Sequence, residues 1–345
     1  MTPSVAVVIL NWNGKKLLEE FLPSVIRFSP DTQIIVTDNA STDKSIEFLK
    51  NNFPGVKIIQ NTKNYGFAGG YNIALQSINS KYYILLNSDV EVTDGWLTSL
   101  ISFMETDVGV GAAQPKIKAW HQKDQFEYAG AAGGFIDKWG YPFCRGRIFN
   151  ELEEDEGQYE DAKEVFWATG ACMVVRAEVF KEAGGFDADF FAHMEEIDLC
   201  WRIKNLGYKI FCVPQSVVYH LGGGTLNKYS PRKTYLNFRN NLMMMIKNLP
   251  SEKLYRTILI RLILDGAAAI RFLFEKNGFQ HFSAVARAHF YIYSHLETLK
   301  MKRKLLTHKK VNCIYSGSIV YEHFILGKKK FSQLNPKAFI TITRM

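Results

Sequence analysis

Apolar residues fall along this chain in short runs that end in polar side chains. Val5-Ala6-Val7-Val8-Ile9-Leu10 is a continuous, largely β-branched run, the mark of a strand buried on both faces. It stops at Asn11-Trp12-Asn13-Gly14. Leu17, Leu18, Phe21, Leu22 and Val25 then recur at helical spacing over 15–28. Residues 33–37 predict a second strand ended by Asp38-Asn39, and Ser41, Thr42 and Asp43 offer N-caps for a helix reaching about Asn52. A third strand, 56–60, is followed by Asn64-Tyr65-Gly66-Phe67-Ala68-Gly69-Gly70-Tyr71-Asn72. A helix to about Ile78 then leads into the fourth run, 82–86, which ends in Asn87-Ser88-Asp89. Four strands alternating with three helices predict an α/β fold, a mainly parallel, doubly wound, Rossmann-like sheet. Right-handed crossovers bring all four strand ends to one edge, where ligands of such sheets sit. The amides and carboxylates there suit a base, a ribose and a diphosphate, although polar residues also begin loops simply to turn the chain.

Further along, 108–117 reads as another strand. Residues 119–164 are rich in Gly and aromatics, then acidic, and read as a long irregular region, a lid or binding loops. Strand character returns over 166–175, followed by a short helix over 177–183. Glu195, Glu196 and Asp198 then open a helix whose apolar face carries Ile197, Leu199, Trp201 and Ile203. Acids at a helix N-terminus favour the dipole by about 0.3–1 kcal/mol each, which accounts for one or two of them. Three beside His193, directly after an aromatic turn, also suit a general base whose pKa is lifted by burial. Strands over 208–213 and 217–220 lead into His220-Leu221-Gly222-Gly223-Gly224. The glycines leave the imidazole room to reach inward, and the residues alone leave a ligand role and a structural role both open.

The chain has 345 residues, 47% of them hydrophobic, enough for two domains or one large one with an appendage. Five cysteines without a C-x-x-C pair fit a reducing cytoplasm better than a disulfide framework. The first apolar run is too short for a signal core. The glycines of 66–70 lack the Lys-Ser/Thr of a P-loop, and no G-x-G-x-x-G follows the first strand. A diphosphate bound here therefore needs a cation, which draws attention to Asp89. Charge divides the chain: residues 226–345 hold 22 Lys and Arg against five Asp and Glu, or +17, whereas 1–225 carry −9. The apolar stretch 254–274 is interrupted by Arg256, Arg261, Asp265 and Arg271, so it contains no membrane-spanning window. Those four charges fall on one half of a helix, as in an interfacial amphipathic helix, or in one that docks on the rest of the protein. Lys300, Lys302, Arg303, Lys304, Lys309, Lys310 and Lys328-Lys329-Lys330 follow, which favours an anionic membrane surface. No nucleic-acid motif is present, and the acidic front portion would repel a phosphate backbone.

Taken together, several segments resemble glycosyltransferase family 2, inverting enzymes of GT-A fold, and within it the bacterial rhamnosyltransferase-like branch of cell-surface polysaccharide synthesis. The segments are 8–13, 36–43, 64–72, 85–90, 169–174, 195–202 and 218–223, in the family's order. The resemblance implies a GT-A catalytic domain over 1–225, and a basic, mostly helical region over 226–345 follows it. It also implies roles. Asn11 and Asp38 match nucleotide-binding positions, Asp38 against the base, and Asn64 and Gly70 match the loop beside the nucleoside. Asn87-Ser88-Asp89 stands where many relatives carry D-x-D, so Asp89 would hold Mg²⁺ or Mn²⁺, with Asn87 near the ribose and Ser88 beside it. His220 matches a His that completes the metal's coordination in several relatives. Glu195-Glu196 falls on an acidic pair whose second member is the catalytic base, making Glu196 the first choice, with Glu195 and Asp198 behind it. Two departures stand out: Asn87 replaces the first Asp of D-x-D, and the base position is Glu rather than Asp. The donor implied is a dTDP- or UDP-linked sugar, rhamnose favoured. The implied acceptor is a glycan or lipid-linked saccharide, and the location is cytoplasmic, peripheral on the inner membrane face. The rival expectation is a non-catalytic nucleotide-sugar-binding subunit.

Overall fold

The computed structural model describes residues 4–222 and 230–342. The hydrophobic runs become β1 (Val5–Asn11), α1 (Lys15–Phe28), β2 (Gln33–Asp38), α2 (Ser45–Asn52), β3 (Lys57–Gln60), α3 (Gly66–Gln76) and β4 (Tyr82–Asn87). The four strands are parallel, in the order β4-β1-β2-β3. Side chains alternate across β1: Val5, Val7 and Ile9 pack with Leu18, Leu22 and Val25 of α1, whereas Ala6 and Val8 face Tyr71 and Leu75 of α3. Register sets Asn11 opposite Asp38 and Leu10 opposite Asn87, so three polar strand ends lie abreast.

The sheet continues through β5 (Val90–Val92), α4 (Trp96–Thr106) and β6 (Val110–Ala119). The stretch read as irregular, 119–164, contains a small antiparallel sheet. Its strands are β7 (Gly134–Asp137), β8 (Pro142–Cys144), β9 (Arg147–Ile148) and β10 (Glu151–Leu152). Strands of two to four residues carry no usable alternation, so pairing is visible only in three dimensions. After β11 (Lys163–Glu164) comes β12 (Cys172–Arg176), shorter than the 166–175 run suggests and inserted antiparallel between β4 and β6. Then follow α5 (Ala177–Glu182), α6 (Glu195–Leu206) and β13 (Lys209–His220). The two strands expected over 208–220 are this one strand, irregular between Val213 and Val217 around Pro214, which has no N–H to give the ladder. β13 lies parallel to β6 and antiparallel to β5, completing nine strands.

The C-terminal region is helical: α7 (Pro231–Asn248), α8 (Ser251–Phe272), α9 (Gly278–Ser294), α10 (Leu296–Lys304) and α11 (Ile319–Phe324). It does not build a core of its own. Met243, Ile292 and Tyr315 join the same buried cluster as Val8 and Leu85 of the sheet, and β14 (Ile314–Tyr315) pairs with β7. Part of the opposite charge of the two portions is spent between them. Lys247 bridges Asp187 and Asp198 at 2.7 and 2.9 Å, and Lys302 bridges Asp187 and Asp189. Burial pushes the Asp187 carboxyl up, but the two lysines outweigh it and hold the group well below the usual range. The five cysteines are buried and unbonded to one another.

Candidate functional site

Two groups of side chains form along the strand ends. At β1 and β2, Asn11 Nδ2 donates to Asp38 Oδ1 at 3.0 Å and Ser41 Oγ at 3.1 Å, while Ser41 N donates to Asp38 Oδ2. Asn11 and Asp38 are buried, and Asn11 Oδ1 has no hydrogen-bond partner. A Cβ on Gly14 would stand 2.5 Å from that oxygen, so the missing side chain leaves the Asn11 amide its room. Beside this group, Asn39 ties the next loop together. It accepts from Asn61 Nδ2 at 2.8 Å and donates to Gly66 O at 2.9 Å and Asn64 Oδ1 at 3.3 Å. Gly70 packs on it: a Cβ there would approach Asn39 Nδ2 to 2.9 Å. Asn64 and Gly70 thus gather around Asn39, an organising residue to which the sequence reading gave no role.

The second group lies where β5 pairs with the end of β13. Register places His220 opposite Val90, and Leu221 N donates to Asp89 O at 3.0 Å. His220 Nε2 comes to 3.1 Å from Asp89 Oδ1, with Asn87 Nδ2 at 3.5 Å. The other face of the ring was not anticipated: His220 Nδ1 lies 3.2 Å from Glu127 Oε2, close enough for an ion pair but off the line of a hydrogen bond. Glu127 comes from the stretch read as a lid, and only its acidity gave any signal. Gly222 adopts φ +71°, and a Cβ there would meet Glu127 Oε1 at 2.9 Å; Gly223 and Gly224 lie outside the described residues. Burial would lower the His220 pKa, but the two flanking carboxylates raise it well above its ordinary value. Burial would likewise raise that of Asp89, and the imidazole beside it brings it below.

Among the described residues no group of three or more His, Cys, Asp or Glu side chains converges on one point. Asp89, His220 and Glu127 form a line with the imidazole in the middle. One carboxylate oxygen and Nε2 can face the same cation while Glu127 holds the far side of the ring, the usual outer partner of a metal-bound His. Such a pair fits a divalent ion whose remaining ligands come from phosphate.

The third group is acidic and differently built. Glu195 and Glu196 open α6, and Met194 before them and His193 adopt φ of +70° and +71°, as Phe191 adopts +62°. Positive φ in residues other than Gly costs on the order of 1–3 kcal/mol each. Side chains of α7 hold them there. Asn240 Nδ2 lies within donating distance of the carbonyls of Phe190, Ala192 and His193 at 3.0, 2.9 and 2.7 Å, and Arg239 Nη2 donates to those of Asp189 and Phe190. Phe191 O accepts from Phe67 N at 2.7 Å, which seats this loop against the first turn of α3 and next to the Asn39 group.

His193 Nε2, Glu195 Oε2 and Glu196 Oε2 are shielded from solvent and make no hydrogen bond. Burial pushes the His193 pKa down to about 4. Burial, with the Glu196 charge beside it, raises that of Glu195 well above the carboxylate range, and burial raises that of Glu196 to about 7. Asp198 differs. Its carboxylate accepts from Arg202 at 2.9 Å, Lys247 at 2.9 Å and Asn248 at 2.8 Å, and these cations hold its pKa down against burial. Both of its oxygens are taken.

A mixed sheet with polar ends on its parallel strands, an Asp–His pair and shielded acids at a helix start would suit a nucleotide-handling enzyme, and comparison with known proteins specifies the family. The family model described as glycosyl transferase family 2 matches residues 6–184. The chain belongs to that family. It is a glycosyltransferase. The N-acetylglucosaminyl-diphospho-decaprenol L-rhamnosyltransferase of Mycobacterium tuberculosis is 25% identical over 239 residues, covering 64% of this chain and 76% of that protein. Rhamnosyltransferase WbbL of Escherichia coli K12 is 25% identical over 223 residues, 63% of this chain and 83% of WbbL. The structure of GalNAc-T7 with UDP, GalNAc and Mn²⁺ superposes with a TM-score of 0.55 at 20% identity, covering 73% of this chain and 49% of that one. The glycosyltransferase has the GT-A fold, with helices appended after the sheet.

Proposed function

We propose that this glycosyltransferase moves a sugar, rhamnose by preference, from a nucleoside diphosphate to a hydroxyl of a glycan or lipid-linked saccharide, with inversion, at the inner face of a membrane. The rhamnosyltransferase names of its relatives, one of them acting on a decaprenol-linked sugar, favour a dTDP-rhamnose donor, and a UDP-sugar is the second choice. Asp38 and Asn11 receive the base, Asn64 and Gly70 line the nucleoside, and Asn87 and Ser88 meet the ribose. Asp89 and His220 would hold Mg²⁺ or Mn²⁺. When bound, the ion neutralises the charge that grows on the departing diphosphate.

Glu196 takes the proton from the acceptor hydroxyl. The observation that carries this reading is its carboxyl: shielded, without a partner on Oε2, and pushed up to about 7. A base poised there is half ionised near neutrality and still basic enough to draw a proton. Glu195 shapes the field around it. Asp198, with both oxygens engaged, fastens α6 to α7 instead of reacting. A non-catalytic binding subunit would have no reason to keep adjacent carboxyls each with a shielded, unpartnered oxygen, so that reading is not favoured. The test is to offer the purified protein a panel of nucleotide sugars with Mg²⁺ or Mn²⁺ and a polyprenyl-diphosphate-linked sugar. Transfer from dTDP-rhamnose, or from one UDP-hexose, is expected. No turnover or binding of any donor would refute the reading.

A further inference from the structure

Helix α8 is turned inside out. The sequence groups its charges on one half, but the structure divides them. Arg261 and Asp265 point into the protein and are fully buried, whereas Arg256 and Arg271 are exposed. Arg261 pairs with Asp265 at 3.0 Å, donates to Trp139 O at 2.9 Å and to Asn241 of α7, and lies over the Tyr141 ring. Tyr141 OH and His289 complete the cluster around Asp265. With its polar side used inward, the helix shows solvent its apolar side: Tyr255 (84% exposed), Leu259 (62%), Ile263 (65%), Ile270 (57%) and Phe274 just beyond its end (87%). At 100° per residue these five fall within about 100° of arc, one stripe more than four turns long with Gly266 at its middle and Arg256 on its edge, on the bearing of Phe274. Scattered exposed apolar residues are ordinary; a continuous stripe is not.

Basic groups border it. Lys253, Arg256, Arg271 and Lys276 are exposed, against Glu252 and Glu275. Arg271 lies 4.7 Å from the Phe324 ring, which joins the stripe to the exposed Phe324, Ile325 and Leu326 and the lysines that follow them. The patch is anchored from below, since Asp137 Oδ2 accepts from Ile319 N at the start of α11.

We infer that this face, α8 with the turn after α11, docks on an anionic lipid surface. The apolar stripe enters the interface and the Lys and Arg border meets the lipid charge. A second copy of the chain would bring the same cations against themselves, which disfavours a dimer here. Among the described residues no helix is long and apolar enough to cross a membrane, so docking is peripheral. The inference deepens the reading of a lipid-linked acceptor. It also puts the docking face one helix from the acidic loop, since α7 touches α8 through Asn241 and the loop through Asn240.

The experiment is flotation of the full chain with vesicles of phosphatidylcholine alone or with added phosphatidylglycerol, without donor or acceptor, so it is blind to whether transfer occurs. Flotation with the anionic vesicles at low salt is expected, weakened by high salt. The pair Leu259→Glu with Ile263→Glu should partition about tenfold or more weakly, since each side chain contributes its burial. Both positions are solvent-facing, and an unchanged melting temperature checks the fold. Should the variant misfold, Leu259→Ser with Ile263→Ser serves in its place. Failure of the wild type to float, flotation of a folded variant like wild type, or a vesicle-free dimer abolished by the substitutions would each overturn the inference.

Discussion

The strand-end side of the site and its acidic side are built on opposite principles. Along the strand ends, polar side chains hold one another: Asn11 with Asp38 and Ser41, Asn39 with Asn61, Asn64 and Gly66. The buried atoms among them without a partner, Asn11 Oδ1 and Asn61 Oδ1, belong to side chains otherwise engaged. Parallel register brings Asn11 and Asp38 together, and these hydrogen bonds are made within the chain itself. On the acidic side three buried polar atoms stand unpartnered within four residues, beside three residues held at positive φ. A buried unsatisfied group costs on the order of 1–3 kcal/mol. That cost is carried by helix α7, which grips the loop's carbonyls from outside the sheet. One side is preorganised by its own contacts. The other is held in readiness by a neighbour.

This contrast can be broken at several points. The largest effect on donor binding is expected at Asp89→Ala, which removes the one carboxylate facing His220 Nε2. Metal-dependent donor binding, read by calorimetry, should weaken by a hundredfold or so, beyond the roughly 10–100-fold typical of outer-shell changes. Unchanged metal dependence would remove Asp89 from the metal site. Next comes Asn240→Ala. It removes two N–H donors and leaves the Ala192 and His193 carbonyls short, while Phe190 O keeps Arg239, so stability should fall by about 1–3 kcal/mol. Transfer should drop while donor affinity stays, because the strand ends are untouched. Equal losses in both would mean that the two sides are not separately supported. Gly70→Ala is the mirror case: its Cβ would press on Leu10 and Asn39, so donor affinity should fall with the pH profile of transfer unmoved.

The smallest effect is on stability. The Glu196 pKa is raised in the folded chain, so its ionisation opposes folding. The penalty is absent below the unfolded carboxylate pKa, grows as pH rises toward 7, and is complete above it. Glu196→Gln should therefore raise the melting temperature at pH 8 more than at pH 5. The reverse order would mean that the carboxyl is not shielded.

The strand-end side was readable because its cause is local. A β-branched run followed by Asn or Asp reports both the strand and its exit, and parallel pairing does the rest. The Asp89–His220 approach was readable only through resemblance, since it depends on β5 pairing with a strand that ends 131 residues later. Glu127 escaped because its stretch has no periodicity, and Asn240 because a buried Asn in a polar helix looks like a surface residue. Arg261 and Asp265 show the same limit. Their clustering on one face of α8 was plain, but which face turns inward depends on Tyr141, Asn241 and His289, contributed by other parts of the chain. How the +17 of the C-terminal region divides between surface and interior was not legible either: Lys247 and Lys302 are committed to acids of the first portion.

The account stands most directly on the transfer rate of Glu196→Gln measured across pH at saturating donor. Wild-type turnover should rise through a midpoint near 7, the variant should bind donor normally, and its turnover should fall by about 10²–10⁴, the share a positioned general base supplies. A variant that transfers at the wild-type rate would contradict it.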